Sequence, residues 1–289
     1  MQTALDQLLA LLDLEDLEVN VFRAQSPQDG SQRVFGGQVL GQALIAAGRT
    51  TSGAEEQTHS FHAYFLRPGD PSKPILYQVD RTKDGRAFTT RRVIAIQHGR
   101  AIFHMEASFH RPESGLEHQD EMPDVPAPET LPSFAERMAP LAERARSEAE
   151  RAWLSRERAV ESRYVTEVDL LHPTKQPPRL LVWLKANGTL PADPMIHQCV
   201  LAYASDMTLL DTAMLPHAIS WFDDTRQVAS LDHAMWFHRA LRADDWLLYA
   251  QESPNAGGAR GFSTGRLFTR DGVLVASVVQ EGLIRPKRK

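Results

Sequence analysis

The sequence predicts an α+β chain in which one unit occurs twice, each copy an antiparallel sheet wrapped around a central helix. Three observations carry this. Short strings recur at nearly constant spacing. Arg86-Ala-Phe88-Thr89-Thr90-Arg-Arg92 returns as Arg260-Gly-Phe262-Ser263-Thr264-Gly-Arg266 at an offset of 174, and His62-Ala63-Tyr64-Phe65-Leu66 as His233-Ala234-Met235-Trp236-Phe237 at 171. Leu76-Tyr77 comes back as Leu248-Tyr249, and Gly99 as Gly272. Both copies also share one order, a short strand, an apolar helix, then strands rich in aromatic and β-branched residues. Finally, each helix is too apolar for a surface position. A period this long, seen twice, marks a fused pair of domains rather than a solenoid.

In the first copy the strand reads from Val19 to Gln25 and the helix from Gly36 to Gly48; in the second, from Arg179 to Ala186 and from Pro194 to Leu210. Phe61, Ala63 and Phe65 alternate with His62, Tyr64 and Leu66, a pattern apolar on both sides that fits a covered sheet. Asp84-Gly85 and Asp271-Gly272 read as hairpin turns. Gly37 and Gly41 either admit a neighbouring backbone or, for Gly37, mark a loop-to-helix junction. Residues 112–132 read as a proline-rich acidic linker. A charged helix follows from Phe134 to Val160, with a break expected at Pro140 and a place over one sheet face or between the halves. The domains are then 1–111, a linker 112–162, and 163–289. A sheet wrapped around one helix leaves an open edge, which a second copy covers. This is a double hotdog, and its remaining edges suggest a homodimer or homotetramer.

Composition narrows the function. A hydrophobic fraction of 42% supports two real cores, and a formal charge of -5 gives no general pull toward nucleic acid. The basic tail of Arg285, Lys287, Arg288 and Lys289 reads as a solvated end. A single cysteine, Cys199, excludes an intrachain disulfide and suits a reducing compartment. Residues 1–16 read as an amphipathic helix rather than a leader, and no stretch is long enough to span a bilayer. The tail also lacks a Ser-Lys-Leu signal, so the reading is cytoplasmic.

Several motifs dissolve on inspection. Gly261-Phe-Ser263-Thr-Gly265 has the spacing of a serine-hydrolase elbow, but it lies in a strand-like run and no histidine follows His238. His59 with His62, and His233 with His238, sit three and five residues apart, which in a strand places them on opposite faces. No metal site and no cofactor are expected. Phosphate-loop and dinucleotide fingerprints are missing as well.

Comparison of the copies is sharper. Aligning Gly37-Gln38-Val39 with His197-Gln198-Cys199 sets Asp206 against Ala46; aligning Gly99 with Gly272 sets Gln280 against Ala107; the histidine strings set Ser230 against His59. The second copy thus carries an acid, a hydroxyl and an amide where the first carries Ala, His and Ala. Asp206 is either an exposed helix end or a buried acid in need of partners. With Ala46 and Ala107 in place, one active site per chain is expected.

Val34-Phe-Gly-Gly-Gln-Val39, His59-Ser-Phe-His-Ala-Tyr-Phe-Leu-Arg-Pro-Gly69, Tyr203-Ala-Ser-Asp206, Asp232-His-Ala-Met-Trp-Phe-His238 and Val275-Ala-Ser-Val-Val-Gln-Glu-Gly282 together resemble the acyl-CoA thioesterase II (TesB-type) family, in order from Leu8 to Arg285. The resemblance implies a double hotdog that hydrolyses fatty acyl-CoA to free acid and CoA without a metal or a covalent serine. It implies catalytic roles for Asp206, Ser230 and Gln280, with Thr expected more often than Ser at the second place. The trio would hold one water, with Asp206 as base; an Asp at its ordinary pKa near 4 is weak in that role. Backbone N–H groups of Gly36 and Gly37 are candidate oxyanion donors. Leu40, Leu44, Met207 and Leu210 could line an acyl channel or be plain core. Arg86, Arg91, Arg260 and Arg266 are candidate partners for the CoA phosphates. Two alternatives remain: a hotdog enoyl-CoA hydratase or dehydratase, which wants an Asp–His pair, and a non-catalytic acyl-CoA binder. No histidine lies within a turn of Asp206, and His197 precedes it by nine residues.

Overall fold

A computed structural model describes residues 2–27, 30–51, 56–145 and 147–287; Arg288 and Lys289 of the basic tail lie outside the described residues. The first copy runs α1 (Ala4–Leu12), β1 (Glu15–Glu18), β2 (Val21–Ala24), α2 (Gly36–Gly48), β3 (Gln57–Phe65), β4 (Ile75–Asp84), β5 (Phe88–Gln97) and β6 (Arg100–His110). After a connection come α3 (Phe134–Glu143), α4 (Glu148–Ser155), β7 (Val160–Tyr164), β8 (Arg179–Ala186), α5 (Pro194–Ser205), α6 (Asp211–Met214), β9 (Arg226–Ser230), β10 (Asp232–Phe237), β11 (Leu247–Gly257), β12 (Arg260–Thr269) and β13 (Leu274–Pro286). β7 opens at Val160, so the strand crosses the expected 162/163 division.

The strands form one antiparallel sheet in the order β1-β2-β4-β5-β6-β3-β10-β13-β12-β11-β8-β7, with β9 added against the end of β13. Read inward from either edge, the succession is the same, which is the signature of a duplicated unit. The halves meet where β3 pairs with β10, from Tyr64↔Asp232 to Ser60↔Trp236. Each copy's open edge is therefore closed by the other's.

Inside the sheet lie α2 and α5, packed antiparallel. Every residue of α2 from Gly37 to Ala47 is buried. The glycines are explained by close approach: a Cβ on Gly37 would collide with Tyr203 O, and one on Gly41 would sit 3.2 Å from Cys199 O. The neighbour is thus the other central helix, and Gly37 is more than a junction. Leu40 and Leu44 are fully buried in the shared core, each contributing about 1.5–3 kcal/mol. Leu210 is buried too, and Met207 is partly buried against the same core.

The second central helix is shorter than its apolar pattern suggested. It ends at Ser205 rather than Leu210, with Asp206 as C-cap at φ −84°. The Ser205 hydroxyl donates back to Ala202 O at 2.9 Å, and the Met207 N–H turns to Ala204 O, tightening the last turn. Met207, Leu209 and Leu210 continue the apolar pattern after the helical backbone has stopped.

Strand register corrects the alignment of the copies. Ala63 pairs with Met105 as Met235 does with Val278; Tyr77 with Ala95 as Tyr249 with Leu267; Arg91 with Ala107 as Ser263 with Gln280. The shift is 172 along β3, β4 and β5, and 173 along β6. The histidine strings are therefore matched one residue out: His62 is exposed and His233 is buried, on opposite faces. Ser230 corresponds to Thr58, not His59, and Ser263 to Arg91, not Thr89. The Ala107 assignment is unchanged.

The segment 112–127 has no helix or strand and lies along the second half. Gln119 donates to Gly272 O and accepts from the Leu274 N–H, Arg266 bonds Asp120 at 2.7 Å, and Trp183 donates to Pro126 O. The charged helix is broken, but not at Pro140, which sits inside α3. Ser147 recaps the chain by accepting from the Glu150 N–H, so the break falls between α3 and α4. Phe134, Met138 and Leu154 pack beside Tyr164 and Phe222, placing both helices on the second half.

Candidate active site

The acid, hydroxyl and amide converge. Asp206 ends α5, Ser230 ends β9 and Gln280 lies in β13, two residues from the Gly282 that pairs with Ser230. Gln280 Nε2 donates to Asp206 Oδ1 at 2.6 Å and to Ser230 Oγ at 2.9 Å. The Ser230 hydroxyl and the Gly37 backbone N–H also favour the charged form of the Asp206 carboxyl. Its side chain is only 4% exposed, so the exposed-helix-end alternative is excluded.

These donors and α2's start, where the dipole is positive, favour the ionised acid, while burial opposes it. Burial wins, and the Asp206 pKa rises to about 7. The expectation of a weak base near 4 is corrected: at neutral pH the group is poised to take and return a proton. The site straddles the halves at Gly36, where a Cβ would lie 2.6 Å from Asp206 Oδ2 and 3.0 Å from the Phe65 ring.

A histidine does approach the acid, contrary to the sequence reading. His233 Nδ1 lies 3.8 Å from Asp206 Oδ1, brought there by β10 from 27 positions along the chain. Its ring is wholly buried, and burial holds its pKa down at about 3, so the two groups form no ion pair. Sequence spacing on one helix could not reveal a contact between a helix end and a strand.

The other candidates divide. Ser263 lies inside β12, with its hydroxyl buried and unpartnered, so no nucleophile elbow exists. Arg91 is fully buried and spends all five N–H donors: Nε on Thr50 Oγ1, Nη1 on Lys83 O and Thr90 O, Nη2 on Thr50 O and Asp84 Oδ1. It is removed from the phosphate candidates. Arg260 is bonded to Glu281 and Arg266 to Asp120, while Arg86 is exposed. His59 donates to or accepts from Ser108 Oγ at 2.8 Å, away from the trio. A surface cleft of about 630 Å³ lined by Lys185, Arg242, Trp246 and Arg270 lies at the opposite end of α5, near Ala243 and His197. His197 precedes Asp206 by nine residues, about 14 Å along the helix, so the cleft is separate from the chemistry.

Residues 155–283 match the acyl-CoA thioesterase family, and residues 24–110 match the acyl-CoA thioesterase N-terminal domain. Acyl-CoA thioesterase 2 of Haemophilus influenzae is 42% identical over 99% of both chains. The chain belongs to the acyl-CoA thioesterase II family. Human acyl-coenzyme A thioesterase 8 is 41% identical over 96% of this chain and 88% of its own length. A crystal structure of an acyl-CoA thioesterase II from Mycobacterium marinum is 45% identical, with a TM-score of 0.78 over 97% of this chain and 98% of that one. This thioesterase is accordingly a double hotdog and a thioester hydrolase acting on acyl-CoA. Among the described residues, no helix is long and apolar enough to cross a membrane.

Proposed function

We propose that this thioesterase hydrolyses fatty acyl-CoA through one water held by Asp206, Ser230 and Gln280, at a single site per chain. The observation that carries the reading is the meeting of the three side chains at the Gln280 amide, whose Nε2 lies 2.6 Å from the buried Asp206 Oδ1 and 2.9 Å from Ser230 Oγ. Asp206 accepts a proton as the water oxygen bonds to the thioester carbon. The tetrahedral intermediate then breaks its C–S bond, and Asp206 returns the proton to the CoA sulfur, leaving the free acid and the thiol. The Gly36 and Gly37 N–H groups at the start of α2, beside the acid, are the candidate donors for the oxyanion.

The Asp206–His233 approach gives the hydratase alternative an observation of its own, yet its histidine is wrongly placed. His233 is wholly buried and its Nε2 is tied to Ser205, so it offers substrate no proton. Release of thiol from palmitoyl-CoA, followed with a thiol reagent, separates a hydrolase from a hydratase or a binder. In Asp206→Asn, kcat should fall on the order of 10²–10⁴-fold with the fold retained. A variant turning over at the wild-type rate would remove Asp206 from the mechanism.

A further inference from the structure

His233 is the buried group closest to the base that hydrolysis leaves unused. Its ring stacks on Phe61 of the first half, with centroids 6.1 Å apart and planes at 16°. Ser205 fixes which nitrogen carries the proton. The Ser205 hydroxyl has one hydrogen, and Ala202 O, which can only accept, takes it at 2.9 Å. Ser205 Oγ therefore accepts from His233 Nε2, also at 2.9 Å, and Nε2 is the protonated nitrogen. Nδ1 is left with a bare lone pair, buried and without a partner, 3.8 Å from Asp206 Oδ1.

That lone pair discriminates between the two states of the acid. It repels an ionised carboxylate, but it is a ready acceptor for a protonated one. A protonated Oδ1 can still accept from Gln280 while donating to Nδ1, after a closure of about 1 Å to ordinary hydrogen-bond length.

We propose that His233 is a positioning residue that stabilises the protonated form of Asp206 and so strengthens it as the base of hydrolysis. The inference rests on reading Asp206 as that base. No proton passes to His233; the proton taken from water stays on the carboxyl, steadied by Nδ1, until the CoA sulfur takes it. Other groups facing Asp206 are accounted for. Gln280, Ser230 and the Gly37 N–H favour its charged form, and Tyr249 on β11 donates to Ser205 O at 3.0 Å. Asp211 on α6 is a second buried acid facing the same carboxylate, and the Asp206 charge helps push its own pKa up.

The test compares pH profiles of kcat/KM for wild type, His233→Leu and His233→Asn, with Asp211 intact in all three. Leucine removes the acceptor, whereas the asparagine amide can present an oxygen near the place of Nδ1. The acidic limb should move down by about one pH unit in the leucine variant, and the alkaline plateau should drop about threefold. The asparagine variant should bring the limb back toward wild type. A folded leucine variant with an unmoved limb overturns the proposal. Should the variants not fold, nitrogen-15 shifts of wild-type His233 decide: a bare Nδ1 is required, and a proton on it at pH 8 overturns the idea. Loss of turnover in Asp206→Asn beside an unmoved limb sinks the role of His233 alone, while an active Asp206→Asn sinks the assignment of the base.

Discussion

The C-terminal ends of the two central helices carry opposite charges. Beyond α2, the Arg91 guanidinium bonds Thr50 O and Thr50 Oγ1, placing a cation at the negative end of a helix dipole. At the end of α5, the same dipole meets a buried carboxylate, Asp206. Register places Arg91 where the second half has Ser263, beside Ala107 where the second has Gln280. In one half, Arg91 has all five of its N–H donors paired. In the other, Ser263 Oγ, Gln280 Oε1 and His233 Nδ1 are buried without partners, and the acid is held near its titration point. One scaffold thus supports a structural plug and a reactive site, and the difference comes down to a few side chains. Unsatisfied groups cost stability, which is why they are informative about function.

Removing the plug should produce the largest effect on stability. Arg91→Met keeps bulk but leaves Lys83 O, Thr90 O and Thr50 O without their donor. Urea unfolding should show a loss of about 2–4 kcal/mol. The folded fraction should keep its kcat, because the trio lies in the other half. A fully folded Arg91→Met chain without turnover would break the division between the halves.

A somewhat smaller effect of opposite sign is expected at the other helix end. Asp206 is pushed from 3.8 to about 7 in the folded chain, so folding favours the protonated acid. Its contribution is intact below the unfolded value and is lost as pH rises through the folded one. Above pH 7 the ionised carboxylate destabilises the fold, so Asp206→Asn should be more stable than wild type by about 1–3 kcal/mol. That gain should shrink as pH falls and vanish near pH 4. Melting temperatures at pH 8, 6 and 4 test this; a variant less stable at pH 8 than at pH 4, relative to wild type, would reverse the sign.

How much of this was legible in the sequence differs by element. The bounds of α2 and β8 read as they fold, because glycines close α2 and the apolar run of β8 stops at Asn187-Gly188. The place of Gln280 against Ala107 was legible because one anchor of the copy alignment was sound: Gly99 and Gly272 both adopt positive φ, 68° and 85°. The histidine anchor failed because identical letters can point to opposite faces of a strand; only burial reveals the slip. In the sequence Arg91 is a candidate phosphate partner like the other strand arginines, since nothing local shows that five acceptors surround it. The raised pKa of Asp206 and its approach to His233 depend on strands folded from far along the chain, beyond the reach of any spacing rule.

The mildest change sharpens the comparison at Ser230, where the family resemblance leads one to expect threonine. Ser230 sits half-buried at the end of β9, opposite Gly282, where the Leu210 side chain packs in place of a Cβ. A β-branched residue suits an extended backbone and restricts χ1, so it should hold the hydroxyl in one rotamer against Gln280 Nε2. If serine merely allows more freedom, Ser230→Thr should raise kcat by about threefold or less, with KM unchanged, because the added methyl changes positioning rather than chemistry. Steady-state kinetics on palmitoyl-CoA read this directly. A drop of about tenfold would mean that the methyl meets a wall, and that this chain has shaped the corner of its site around the smaller residue.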